Sequence, residues 1–295
     1  MFELENASEF IDYYQKAFRL RVYKVNYSYK GEDVGLLCVK KRNKYVSLPI
    51  LSLGAFERDS KNYISVNKKI EIRDRFPSNQ NSYNQKILYE LSFENNSYSL
   101  PSDIKRKVNK AIKNNIQIRE LNNWNKDSLN DRILLNDFYK VYSKRMHSIG
   151  VPVLSKKQII HRLESKRYVL FIAYYYGKPI GGASLNKITS NYYENELIAT
   201  NPIYNKLYTS YLLHYSMIKH SKKENAITYS MGRSSKDSKV SDFKKHWKGE
   251  EFDLYWTNNQ REYLSKFKTL LQAQWKNLPY SLTLLIGPLI HKIIN

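Results

Sequence analysis

Short apolar runs cut by polar turns pattern the first third of the chain, and they predict strands rather than helices. Gly35–Lys41, Lys44–Ile50 and Lys69–Arg73 are the clearest, separated by turn residues at Arg42-Asn43 and Arg58–Asn62. The pattern changes at Pro101-Ser102-Asp103, where Ser102 or Asp103 can cap the free N–H groups of a helix. Ile104, Val108, Ala111 and Ile112 then fall on one face at helical spacing, while Lys105, Arg106, Lys107, Lys110 and Lys113 cover the rest. Asn114-Asn115 ends this helix, and Ile116–Arg119 predicts another strand.

Beyond Asp127 the periods lengthen. Asp127–Ser148 predicts a helix with a core stripe of Leu134, Phe138 and Val141, followed by a loop, Ile149–Leu154, holding Gly150 and Pro152. Ser155–Glu164 is a capped helix, and the apolar runs Tyr168–Tyr176 and Pro179–Ile188, joined by Gly177-Lys178, predict a hairpin. A strand at Asn195–Thr200 follows, then a helix at Lys206–Lys219 burying Leu207, Tyr211, Leu212, Tyr215 and Ile218. Strands are expected at Ala226–Met231 and Glu251–Trp256, a helix at Arg261–Lys276, and an apolar stretch at Leu278–Ile294 broken by Gly287-Pro288. The order from Tyr168 onward is that of mixed α/β structure with a helix packed behind a sheet.

At 295 residues and 42% hydrophobic, the chain suffices for two modest domains or one large α/β unit, and disorder is a poor reading. Charge adds more. Forty-nine Lys and Arg against 27 Asp and Glu give +22, a field that attracts phosphate in RNA, at a membrane surface or in a pyrophosphate-bearing substrate. Cys38 is the sole cysteine, so an intrachain disulfide and a thiolate metal cluster are excluded, and its apolar run reads as a buried strand. Glu3, Glu5, Glu9 and Asp12 are wrong for a secretory signal, and no apolar run approaches the roughly 20 residues of a spanning helix. A cytoplasmic location follows as the expectation. The apolar tail is expected to pack on the protein's own core or to touch the inner face of a membrane.

Several stretches resemble the FemAB-like branch of the GNAT acyltransferase superfamily: Phe138–Tyr142 through Gly150-Val151-Pro152, the hairpin from Phe171-Ile172-Ala173 to Gly181-Gly182-Ala183, and Met231-Gly232-Arg233-Ser234-Ser235 leading into Asp242–Gly249. Leu254-Tyr255-Trp256 and the Leu278-Pro279…Gly287-Pro288 tail are similar too, and Ser47-Leu48-Pro49 and the basic helix match more loosely. The resemblance implies two tandem GNAT-like mixed α/β domains facing across a cleft, with a C-terminal helical tail. The first would span residues 1–122, including the basic helix at 102–115, and the second 123–295. It also implies transfer of an acyl or aminoacyl group, from aminoacyl-tRNA or acyl-CoA, to an amine or hydroxyl on a peptidoglycan or surface-polysaccharide precursor, lipid-linked or nucleotide-linked. No permanently bound cofactor and no metal are expected. Three departures stand out. Asn201–Lys206 lacks the Gly-rich loop that offers N–H groups to the pyrophosphate of coenzyme A, Thr209-Ser210 replaces Pro-Asn, and Lys248 separates Trp247 from Gly249.

Acyl transfer needs a deprotonated nucleophile, a polarised carbonyl and support for a leaving group. By the resemblance, Lys244 lies at the acyl-donor site, where an ammonium holds a phosphate or stabilises the oxyanion. Arg233 can bind phosphate bidentately or pin its own loop, and Ser234, Ser235, Phe243, Trp247, Tyr139 and Arg145 complete the expected substrate site. Glu194 and Glu196 stand two apart on a strand and share a face; Glu196 is the residue selected as base. His246 is expected to pack beside Trp247. Lys107, Lys110 and Lys113 recur at about one helical angle and can meet a phosphate chain or tRNA, the alternative being a solvated face. Two rival functions remain: an acyl-CoA-dependent acetyltransferase acting on a surface sugar, and a non-catalytic RNA-binding protein, which would need its tyrosines grouped on a basic face. Along the sequence they look scattered.

Overall fold

The computed structural model describes residues 1–5, 7–41, 43–49, 51–58, 63–66, 69–77, 82–257 and 272–294. Its strands are β1 (Phe2–Glu3), β2 (Val22–Tyr29), β3 (Glu32–Lys41), β4 (Lys44–Ser47), β5 (Ala55–Glu57), β6 (Lys69–Asp74), β7 (Ser82–Ser92), β8 (Ile116–Leu121), β9 (Tyr168–Tyr175), β10 (Lys178–Lys187), β11 (Tyr192–Thr200), β12 (Thr228–Ser235) and β13 (Glu250–Thr257). The helices are α1 (Ala7–Phe18), α2 (Ser102–Lys113), α3 (Leu129–Ile149), α4 (Lys156–Glu164), α5 (Thr209–Lys223), α6 (Lys239–Lys245) and α7 (Tyr280–Ile294). The strands join in one sheet, in the order β1-β5-β3-β4-β6-β13-β7-β12-β11-β10-β9-β8, with β2 on the side of β3. β13 links its halves by pairing antiparallel with both β6 and β7.

Helices cover both faces of the C-terminal half. α3 buries Leu134, Leu135, Phe138 and Tyr142 on one face, in a core shared with Phe10, Tyr13 and Tyr14 of α1 and Ile159 of α4. α5 buries Leu212, Leu213 and Met217 on the other, beside Ile104, Val108 and Ala111 of α2. Adjacent glycines in β10 let both helices approach. A methyl group at Gly181 would stand 2.8 Å from Thr209 of α5, and one at Gly182 would stand 2.7 Å from the Phe138 ring of α3. Alanine at Gly182 therefore overpacks the core, at a cost of about 1–3 kcal/mol. The second core also encloses Trp247, fully buried beneath α5, whose truncation to Ala would cost about 3–5 kcal/mol.

Several sequence expectations hold. Cys38 is buried in β3, and desolvation pushes its thiol up, out of reach of a neutral-pH nucleophile. Ser155 caps α4 in a reciprocal capping box with Gln158. The hairpin joins β9 to β10, with Gly177 at φ 74° in its turn.

Others need correction. The first third is not all strands, because α1 buries Phe10, Tyr13, Tyr14, Ala17 and Phe18 at a 3.6-residue period. Ile112 is 51% exposed rather than on the buried face of α2. α5 begins at Thr209, because Pro202 sets up a separate 3₁₀ turn at Pro202–Leu207 that Asn201 caps. Gly287-Pro288 does not break the tail; α7 runs through it, with Gly287 packed beside Val153. Of the helix expected at Arg261–Lys276, positions 261–271 lie outside the described residues, and 272–277 is helical. β7, α2 and β8 precede residue 122 yet bond or pack with elements that follow it: β7 with β12 and β13, α2 with α5, and β8 with β9.

Candidate active site in the wedge between two parallel strands

β11 and β12 are parallel neighbours over Tyr192–Glu194 and Thr228–Ser230, after which their ladder stops. Two irregularities accompany the parting. On β11 the pairing with β10 shifts between Leu197↔Ser184 and Asn195↔Leu185, so Glu196 is the extra residue of a β-bulge. Asn195 holds that bulge by donating from Nδ2 to the carbonyls of Ser184 and Leu197. On β12, Gly232 takes φ 72°, and a side chain there would come within 2.6 Å of the Asn195 carbonyl, so only glycine fits.

The wedge so opened is a cavity of about 560 Å³. β11 lines it from Glu194 to Thr200, β12 contributes Met231–Arg233, α5 Ser210 and His214, and α6 Phe243 and Lys244. Arg145, Met146 and Ile149 of α3, Arg162 of α4, and Ser52 from the N-terminal half close the remaining side.

Lys244 reaches this space because α6 starts at Ser238, whose Oγ accepts from the Ser241 amide and orients the helix. Only 5% exposed, Lys244 donates from Nζ to the Gly232 carbonyl at 2.6 Å. Burial brings its ammonium down to about 7, with Lys86 and Arg233 acting in the same direction and Glu194 opposing. Glu194 is 2% exposed, and its Oε2 is buried without a hydrogen-bond partner. Burial raises its carboxyl to about 7; a hydrogen bond from Ser52 and the Arg233 charge oppose the rise, and Glu196 and Glu90 add to it. The wedge thus places a poorly solvated carboxyl and a poorly solvated amine in one pocket, both titrating near neutrality. His214 is fully desolvated and pushed down to about 3, so it stays neutral, sharing a 2.7 Å hydrogen bond between Nδ1 and the Tyr229 hydroxyl.

Glu196, selected as base from the sequence, also lines the cavity, but its oxygens are engaged. It is ion-paired with buried Arg162 and accepts from the Tyr168 hydroxyl and, at 3.3 Å, from Asn186. Of the other expected site residues, Arg233, Phe243 and Arg145 line the cavity as well. Ser234 is buried outside the lining, and Ser235 is exposed, accepting from Lys86 at 2.5 Å. Trp247 belongs to the core, stacked on Tyr211 at 6.1 Å. His246 is exposed, and the imidazole beside Trp247 is that of His214, at 5.5 Å. Tyr139 faces the tail, near Tyr280. Arg162, His214 and Ser52 were missed, having no motif or spacing to mark them.

The tyrosines that look scattered along the sequence are partly gathered in space. Lys107 stands 4.8 Å from the Tyr211 ring and Lys110 5.4 Å from that of Tyr208. Tyr211 in turn meets Phe243 of the cavity at 4.9 Å. A second set of rings joins Tyr204 to Tyr175, and Tyr175 to Tyr176, which is 73% exposed. Lys113, in the last turn of α2, is exposed.

The sequence matches no protein-family model, and no curated protein matches it. Solved structures do match. L-PGS from Bacillus licheniformis superposes with a TM-score of 0.56 at 10% identity, over 94% of this chain and 99% of that one. FemX gives 0.56 at 10% identity, over 88% of this chain and 93% of its own. The fold is FemAB-like. The C-terminal domain of a putative lysylphosphatidylglycerol synthetase from Agrobacterium fabrum shares it, at a TM-score of 0.58 and 7% identity over 88% of this chain and 90% of that one. The mixed α/β architecture with a helical C-terminal tail expected from the sequence is thus the one observed, on a fold shared with FemX and L-PGS. Among the described residues, no group of His, Cys, Asp and Glu is placed to hold a metal ion, and no helix is long and apolar enough to cross a membrane.

Proposed function

We propose that this FemAB-like protein transfers an acyl or aminoacyl group to an amine or hydroxyl of a cell-envelope precursor, with the wedge between β11 and β12 as the reaction site. One observation carries this reading: Glu194 and Lys244, both nearly buried, line one cavity, the acid with an oxygen that has no hydrogen-bond partner. The acceptor's nitrogen or oxygen attacks the ester carbonyl of the donor, and its proton passes to the Glu194 carboxylate. The Lys244 ammonium faces the oxyanion, and as the carbon–oxygen bond to the donor breaks, the departing oxygen takes up the proton that Glu194 received, which restores the carboxylate. Carboxylate and ammonium must coexist for this, which two groups titrating near 7 allow at neutral pH. Glu194 thus replaces Glu196 as the base, because Glu196 is held by Arg162.

The donor that fits best is aminoacyl-tRNA. The turn before α5 has no glycine, whereas the Tyr-Lys group leading to Phe243 offers stacking faces and cations, as a single-stranded nucleotide end requires. The name lysylphosphatidylglycerol synthetase describes aminoacyl transfer onto a lipid, in keeping with this class of reaction.

The test is a pH profile of kcat/KM with charged tRNA as donor and an envelope-precursor fraction as acceptor. A bell centred near pH 7 is expected. Glu194→Gln should lower the rate by about 10²–10⁴ and remove the acid limb. An unchanged profile in folded Glu194→Gln would reject Glu194 as base, and activity with acyl-CoA alone would favour the acetyltransferase.

A further inference from the structure

The tail helix α7 is anchored on one side only. Tyr280 Oη shares a 2.7 Å hydrogen bond with Ser143 Oγ, His147 Nε2 lies 3.0 Å from the Leu278 carbonyl, and Gly287 rests against Val153. Leu284 packs on the core, and Thr283 is buried. Away from these contacts, Leu282, Leu285 and Leu289 recur at i, i+3 and i+7, a single stripe, with exposures of 39%, 73% and 63%. Such a stripe has no reason to face water.

Its electrostatic setting is one-sided too. From Gln272 to Ile294 the sequence contains no aspartate or glutamate, while lysines stand at 276 and 292, within a chain of net charge +22. An apolar stripe in an acid-free, cationic segment matches an anionic lipid interface, where leucines enter the headgroup boundary and lysines meet phosphate. A protein partner would have to be acidic and apolar at once; a bilayer of anionic lipid is both by composition.

We propose that the Leu282–Leu285–Leu289 stripe of α7 seats the protein on an anionic bilayer. The position of α7 gives this contact a consequence. Ser143 and His147, which anchor α7, flank Arg145 and Met146 on α3, and Arg145, Met146 and Ile149 line the cavity. α7 is thus carried by the same helix that walls the cavity, and a lipid-borne acceptor would lie within reach of it; this last step rests on the transfer reading above, whereas the docking itself does not.

The intact protein is floated with phosphatidylglycerol vesicles and with phosphatidylcholine vesicles at low salt, without any transfer assay. It should float with the first and not the second. Leu285→Gln with Leu289→Gln, checked by circular dichroism, should lower partitioning at least tenfold. Failure to float with phosphatidylglycerol overturns the proposal, as does unchanged flotation of the folded double variant, which would assign binding to charge alone. Light scattering that shows a dimer abolished by the same substitutions would also overturn it, assigning the stripe to a second copy of the chain. A protein that floats but transfers nothing leaves docking standing and removes the transferase.

Discussion

Glu196 sits beneath Arg162, Tyr168 and Asn186, with its charge matched and its lone pairs used, whereas Glu194, two residues earlier, keeps Oε2 without a partner where β11 leaves β12. Both are glutamates on one strand, Glu194 buried and Glu196 partly so, and both line one cavity. The difference separates an acid that holds the fold from an acid available for chemistry. Arg162 also lies within 5.9 Å of the Tyr13 ring and 5.7 Å of the Phe18 ring of α1, so the Glu196 pair fastens the N-terminal helix to the wall of the site.

The largest effect should come from breaking the satisfied member of the pair. Arg162→Met leaves the Glu196 carboxylate buried without its cation, at a cost of about 3–5 kcal/mol in urea unfolding. Glu194→Gln should cost nothing comparable. Equal losses from both substitutions would erase the distinction drawn between the two acids.

Next comes the cation. Lys244→Ala should reduce transfer by about 10²-fold or more while leaving circular dichroism and Tm close to the parent. Normal turnover in that folded variant would take Lys244 out of the mechanism.

A smaller effect follows from the titrations themselves. Because burial raises the folded Glu194 carboxyl to about 7, above its ordinary 4.5, the folded state binds more protons than the unfolded chain between those values. Stability therefore falls as pH rises through that window, by an amount on the order of 3 kcal/mol, and Glu194→Gln should flatten this limb. Lys244, brought down to about 7 from 10.5, works the other way, so stability should rise with pH above 7 and lose that rise in Lys244→Met. Denaturation midpoints measured across pH, with the slope m held constant, read both limbs. A flat wild-type curve would mean that water reaches both groups.

Much of the second half was legible because its periods are long and its punctuation strong. Ser155 announced α4 and Gly177-Lys178 the hairpin, whereas the close approach of α3 and α5 over Gly181-Gly182 shows only in the fold. The site was less so. Glu194 and Glu196 look alike in sequence, and only Arg162, more than 30 positions away and without a motif, tells them apart. The bulge at Glu196 depends on Asn195 and Ser184, whose joint role appears only once β10 and β11 pair. Equally, the tyrosines beside Lys107 and Lys110 come from α5 and the turn before it, roughly a hundred positions from α2, so composition could count them but not gather them.

The smallest expected effect tests whether the rim of the cavity works independently of its floor. Replacing Lys107, Lys110 and Lys113 together with Gln should weaken tRNA binding and reduce the slope of log affinity against log salt by about 0.7 per lost phosphate contact, hence about 2 if all three touch phosphate. Lys107 also pairs with Asp103 at 3.2 Å, so part of its charge is already met, and the measured change should fall short of that limit. Tyr208→Ala removes a stacking face without removing a charge, so it should weaken binding by roughly 1–3 kcal/mol while leaving the salt slope in place. Neither change should move the pH profile, which belongs to Glu194 and Lys244. A salt slope unaltered in the triple variant would mean that these lysines serve only water and their own tyrosines. A shifted pH profile would instead couple rim and floor, and the division of labour between the two would have to be abandoned.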